Sequence, residues 1–173
     1  TLLALNTLWN LQLPAASLAA IGAGLGADVP VFVHGYSAWA EGIGEQLTPL
    51  DLPAAWYVVI KPDCAVNTGE IFSHRQLTRD SAPITMHAFF AGASRNDCQS
   101  IVRQLYPAVD NALNWLQNFG EARLTGTGAC VFCRCDTEAD ARSIAQQVPA
   151  PWRGWSARGV NRSSALNDIA SMH

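Results

Sequence analysis

Apolar and polar positions alternate with two different periods along this chain. Leu2, Leu5, Leu8 and Trp9 recur at helical spacing and predict one helix over residues 1–10. A second begins at Pro14, where proline suits the first turn, with Leu18, Ile21 and Leu25 on one face and Gly22, Gly24 and Gly26 thinning its end. Gly26 can end that helix in the left-handed conformation, and Pro30 biases Val29 away from helix. The apolar run 31–33 therefore reads as a strand, paired with 37–41 across a turn at His34-Gly35-Tyr36. Residues 42–45 become a flexible link, and Asp28 stands at a helix-to-strand corner.

The pattern changes near residues 51–54, where Pro53 marks the best candidate boundary and divides the chain into domains 1–52 and 53–173. Residues 56–61 are β-rich and end at Pro62. Asn67 with Glu70 three positions on is a capping-box pattern, Asn replacing the usual Ser or Thr, and starts a helix carrying Ile71 and Phe72. Residues 74–86 lack periodicity and read as loop. Residues 88–91 and 96–106 read as helical, and Val109, Leu113 and Leu116 form the apolar face of a further helix ending near Gly120. Segments 122–125 and 129–133 predict paired strands around Gly126-Thr127-Gly128. Thr137 caps a helix over 139–148, and 154–160 is a last strand. The order strand, helices, strand, strand, helix, strand is the split βαβ pattern of a ferredoxin-like sandwich, so the fold class is α+β.

Composition narrows the function. A chain of 173 residues, 49% hydrophobic and 14% charged, can bury a real core. Its net charge of −3, without a Lys/Arg cluster, argues against a nucleic-acid partner. No apolar run approaches the roughly 18 residues of a membrane span, and no basic-then-apolar leader is present. Five cysteines are an odd number for a disulfide framework and favour a reducing, cytoplasmic compartment. The chain opens at Thr1 inside an apolar run whose cap would be Thr1 itself or a residue now missing, which predicts a piece of a longer protein.

Candidate chemistry is sparse. Gly22, Gly24 and Gly26 are not read as a dinucleotide loop, because such a loop needs a strand before it and a helix after. Cys130, Cys133 and Cys135 look like a metal cluster, but strand alternation turns Cys130 away from the other two and no fourth ligand has partner spacing. They read as small hydrophobes in a sheet. His34, His74 and His87 stand alone and take no catalytic role. The stretch 124–132 differs: two hydroxyls and two glycines at one hairpin tip suit close approach of backbone to a phosphate or bound substrate, although a plain hairpin loop fits as well.

Two pieces together, Gly26-Ala27-Asp28-Val29-Pro30-Val31-Phe32 and Leu124-Thr125-Gly126-Thr127-Gly128-Ala129-Cys130-Val131-Phe132, resemble the GHMP kinases. The similarity extends to Leu5-Asn6, to 40–45, to Asn96-Asp97-Cys98 and to 157–161. It implies the C-terminal part of a two-domain kinase with a ferredoxin-like α/β sandwich as second domain, moving the γ-phosphoryl of ATP onto a hydroxyl of a cytidyl-diphosphate substrate, with ATP and Mg2+ as cofactors. Asp28 matches the family's catalytic aspartate, which takes or orients the hydroxyl proton. Thr125, Gly126, Thr127 and Gly128 match a glycine loop beside the substrate. Thr68 and Phe72 match positions lining the cytidyl pocket, where an aromatic face stacks on the base. The family's phosphate loop and catalytic lysine would precede Thr1, on a missing N-terminal segment that is this chain's expected partner; Lys61, the single lysine, matches no such role. The helix over residues 1–10 would be launched from that loop, aimed at the phosphates. The chain alone is expected not to transfer phosphate, which substrate-dependent turnover by it would refute. Alternatives are another GHMP kinase acting on mevalonate-type or homoserine substrates, and a non-catalytic ferredoxin-like binding module. The expected arrangement sets Asp28 opposite the Thr127 tip across a shared cleft.

Overall fold

The computed structural model describes residues 1–170, which form two units, one of Thr1–Ala54 with the segment from Val160 on and the other of Ala55–Gly159. The first unit begins with α1 (Leu2–Leu8) and α2 (Ala15–Ala23), the latter with Pro14 as N-cap. Here the structure corrects the sequence reading: residues 29–34 are a helix, α3 (Val29–His34), and not a strand. Asp28 is its N-cap, so the corner is helix to helix. Pro30 lies in the first turn, where its missing N–H would be unsatisfied anyway. Gly35 closes α3 in the left-handed conformation (φ 66°), its N–H donating to Val31 O at 2.8 Å.

The hairpin is displaced by one segment. β1 (Ala38–Glu41) pairs antiparallel with β2 (Gln46–Pro49), from Ala38↔Pro49 to Glu41↔Gln46. The supposed flexible link is its turn, with Gly42 at φ 68° and Gly44 at φ 117°. Glu45 folds back to accept from Ile43 N at 2.8 Å, and bonds from its own amide and that of Ile43 hold its carboxyl below the usual range. The unit's buried core is small: Leu18, Ala19 and Val33, with Leu2, Leu3 and Val29 packed against it. A Cβ on Gly22 would lie 2.6 Å from Val29 Cγ1, so α2 and α3 approach through the absent side chain.

The boundary read near residue 52 took the second domain to the C-terminus, whereas the segment from Val160 on returns to the first unit. Asn161 brings it back. Ser37 N donates to its carbonyl, Leu52 N to its Oδ1, and its Nδ2 to Leu52 O at 2.8 Å. Single bonds between residues so far apart leave no periodic trace in a sequence. A last helix, Ala165–Ala170, follows; residues 171–173 of the expected second domain lie outside the described ones.

The second unit runs β3 (Trp56–Lys61), α4 (Thr68–Ser73), α5 (Met86–Phe90), α6 (Cys98–Leu105), α7 (Pro107–Leu116), β4 (Ala122–Leu124), β5 (Val131–Cys135), α8 (Glu138–Gln146) and β6 (Arg153–Arg158). The sheet order is β4-β5-β3-β6, every pair antiparallel, which is the ferredoxin-like arrangement read from the element order. Alternation decides which face is covered: Val58 and Ile60 of β3 and Val131, Cys133 and Cys135 of β5 point into the core. Val109, Ala112, Leu113 and Leu116, at i, i+3, i+4 and i+7, are the matching stripe of α7. No described helix is long and apolar enough to cross a membrane.

Candidate functional site

The N-terminus of α4 is fixed by three residues rather than the two of a capping box. Asn67 Oδ1 accepts from Glu70 N at 3.3 Å. The reciprocal bond is routed through Tyr106, whose hydroxyl accepts from Asn67 N at 3.1 Å and donates to Glu70 Oε2 at 2.7 Å. The Asn67 amide pulls the phenol pKa down, but the Glu70 carboxylate and burial together push it up and the net shift is upward. At the other end of α4, Arg79 Nη2 donates to Phe72 O at 2.6 Å and His74 O at 3.1 Å. Thr68 and Phe72, four apart, share one face of the helix thus clamped. The Phe72 side chain is 57% exposed, which an ordinary core phenylalanine would not be.

The glycine hairpin joins β4 to β5. Thr125 N donates to Cys130 O at 3.1 Å and Gly128 N to Thr125 O at 2.8 Å, closing a tight tip. Gly126 (φ 53°) and Gly128 (φ 94°) supply the positive φ that this path needs. At Gly128 a side chain would also meet Leu124 Cδ1 at 3.1 Å, while the space at Gly126 is open. The tip touches α4 directly, Thr68 Oγ1 lying 2.8 Å from Thr127 Oγ1. The structure therefore brings together the two stretches, 68–72 and 125–128, that the sequence singled out separately.

Asp28 belongs to the first unit. It is exposed at the start of α3, and its side chain makes no cap bond to the helix. Its carboxylate has no ion pair among the described residues. A carboxylate without intramolecular partners keeps all its lone pairs for an incoming donor.

The described residues contain no group of three or more His, Cys, Asp or Glu placed to hold a metal ion. Burial pushes the thiols of Cys64, Cys98, Cys133 and Cys135 up in pKa, which keeps them protonated and poor nucleophiles at neutral pH.

Comparison with known proteins bears on this geometry. The family model for the GHMP kinases C terminal matches residues 85–154. The 4-diphosphocytidyl-2-C-methyl-D-erythritol kinase of Alkalilimnicola ehrlichii is 54% identical over 166 residues, covering 96% of this chain and 57% of its own length. The chain belongs to the GHMP kinase family. The enzyme of the same name from Chromohalobacter salexigens is 49% identical and is matched over 100% of this chain and 60% of its own. This GHMP kinase chain thus spans somewhat under two thirds of the curated relatives it matches. A crystal structure of 4-(cytidine 5'-diphospho)-2C-methyl-D-erythritol kinase superposes with a TM-score of 0.72 at 28% identity, over 90% of this chain and 60% of that one. Homoserine kinase from Cytophaga hutchinsonii, at 16% identity and a TM-score of 0.55, shares the fold.

Sequence reasoning gave no role to the residues that hold this candidate site in shape, although Asn96 stands in a stretch similar to the family. Asn96 Nδ2 donates to Leu124 O at 3.1 Å and Gly126 O at 2.7 Å, and Gln99 Oε1 accepts from Leu124 N at 2.8 Å. Asn96 and Gln99 lead into or lie within the first turn of α6, where polar residues are ordinary. Tyr106 sits between two helices and reads as a partly buried aromatic. Their partners lie too far along the chain for spacing to reveal.

Proposed function

We propose that this chain is part of an ATP-dependent kinase that phosphorylates the 2-hydroxyl of 4-diphosphocytidyl-2-C-methyl-D-erythritol, a step of non-mevalonate isoprenoid precursor synthesis. The observation carrying this reading is the 54% identity over 96% of the chain with the enzyme of that name. Asp28 accepts or orients the proton of the attacking hydroxyl. Positioned general-base help is worth about 10²- to 10⁴-fold, the remainder coming from placement and charge neutralisation. Phe72 stacks on the cytosine, and Thr68 with Thr125, Gly126, Thr127 and Gly128 shapes the wall beside it. The 2.8 Å contact between Thr68 and Thr127 supports a single lining made from both stretches. ATP supplies the phosphoryl group. Phosphate-binding residues would come from a part of the longer relatives that this chain does not match.

A chimera tests this, with the N-terminal part of the Alkalilimnicola ehrlichii enzyme followed by this chain from Thr1. It should phosphorylate the cytidyl substrate and leave homoserine untouched, and Asp28→Asn should lower kcat by about 10²- to 10⁴-fold. Transfer to homoserine instead, or an unchanged rate in Asp28→Asn, overturns the reading.

A further inference from the structure

The amide of Asn96 uses both of its donors and one of its acceptor lone pairs at one place. Its Nδ2 group donates to the carbonyls of Leu124 and Gly126, and its Oδ1 accepts from Cys98 N at 3.0 Å. Two carbonyls on one side and an N–H on the other leave a single consistent orientation for the side-chain amide. These bonds determine more than the position of the loop. In a trans peptide the C=O and the following N–H point in opposite directions, and of the bonds in this hairpin only Gly128–Ala129 is cis. Leu124 O turned toward Asn96 therefore turns Thr125 N–H away from it, and that N–H reaches Cys130 O. Gly126 O turned toward Asn96 does the same to Thr127 N–H, which has no acceptor among the described residues. The left-handed conformation of Gly126 makes this second peptide plane possible.

We propose that Asn96 is a positioning residue that, through the Gly126 carbonyl, presents the Thr127 N–H beside the Thr127 and Thr68 hydroxyls as a donor set for an oxygen acceptor of the substrate, a phosphate or sugar oxygen. This rests on the functional reading above and adds to it a residue that touches no ligand. The set combines a rigid backbone donor with a hydroxyl pair in which one proton joins the two oxygens and the other is free to turn toward a ligand, suited to an anionic oxygen. Without the two donated bonds the Gly126–Thr127 peptide is free to rotate, and its N–H is lost to the site on average.

Asn96→Asp is the decisive variant. It preserves size and the acceptor for Cys98 N, but sets a carboxylate against two carbonyl oxygens. Those oxygens favour the protonated form of the introduced carboxyl, which can still donate one bond. In the chimera the variant should raise KM for the cytidyl substrate about tenfold at pH 8, the cost of roughly one hydrogen bond. KM for ATP should stay within about twofold, and the defect should shrink as pH falls toward 6. Asn96→Ala should show a similar loss without recovery at low pH, and is read alone if Asn96→Asp does not fold. In the 173-residue chain itself, the amide resonances of Gly126, Thr127 and Gly128 should shift in either variant, and Thr127 N–H should exchange rapidly in the parent. Unmoved loop resonances, or an unchanged and pH-independent KM in an active chimera, overturn the proposal. A parent chimera inactive on the cytidyl substrate would sink the functional reading instead, while the resonances still decide what Asn96 does to the loop.

Discussion

Adding one methyl group at Gly22 should disturb Asp28 without touching it. The alanine Cβ would sit 2.6 Å from Val29 Cγ1 and 3.3 Å from Val29 Cβ. Carbon atoms prefer about 3.5–4.0 Å, so α3 must move by about 1 Å or Val29 must leave its rotamer. Relief by rotation is limited because valine is branched at Cβ. Overpacking of this kind costs about 1–3 kcal/mol, against about 1 kcal/mol that alanine gains over glycine inside a helix. A net loss of about 1 kcal/mol follows, and the four proteins of a Gly22→Ala/Val29→Ala cycle should show coupling of about 1–2 kcal/mol by urea unfolding. Val29 adjoins Asp28, so the displacement should also lower kcat of the chimera by about 10- to 100-fold, the sensitivity expected of a group misplaced by 1 Å. Val29→Ala should restore most of that rate. If Gly22→Ala is more stable than the parent and indifferent to Val29→Ala, the close approach of α2 and α3 is wrong.

Two further outcomes follow from the second unit. Leu116 is fully buried on α7, and Leu116→Ala should cost about 2.7–5.0 kcal/mol in denaturant unfolding, transfer and cavity terms combined. Tyr106 has its pKa raised in the fold, so the native state keeps that proton more tightly than the unfolded chain. The associated stability is intact below the unfolded value of about 10 and is lost as pH rises through the folded value. Alkaline unfolding of Tyr106→Phe should show a shallower pH dependence than the parent.

The ferredoxin-like unit was legible because its elements obey their own periods: β3 and β5 alternate, and α7 carries a stripe at i, i+3, i+4 and i+7. The first unit was less so. A short apolar run such as 29–34 has no period long enough to separate strand from buried helix, and Pro30 was weighed as a breaker when it stood in a first turn that tolerates it. Better signals were present: Asp28 in the cap position ahead of that proline, and Gly35 six residues beyond Val29, a helix stop. Reading α3 as a strand then forced the hairpin one segment too early. In the candidate site, the sequence singled out residues carrying a motif and gave no role to those bonded to them. Thr127 lies in a recognisable loop. Asn96, Gln99 and Tyr106 act through single polar bonds to partners with no fixed spacing.

Gly159 N donates to Ala55 O at 2.8 Å, and the strands adjoining them, β3 and β6, lie side by side with Trp56 opposite Arg158. A unit whose two ends meet is an insertion: its host chain is interrupted at one spot and resumes at nearly the same place. Such a module can be exchanged between relatives, or re-tailored to another substrate, by recombination at a single pair of junctions. If the proposed substrate contacts lie on α4 and the glycine hairpin, they are then heritable as one block, separately from Asp28 in the host.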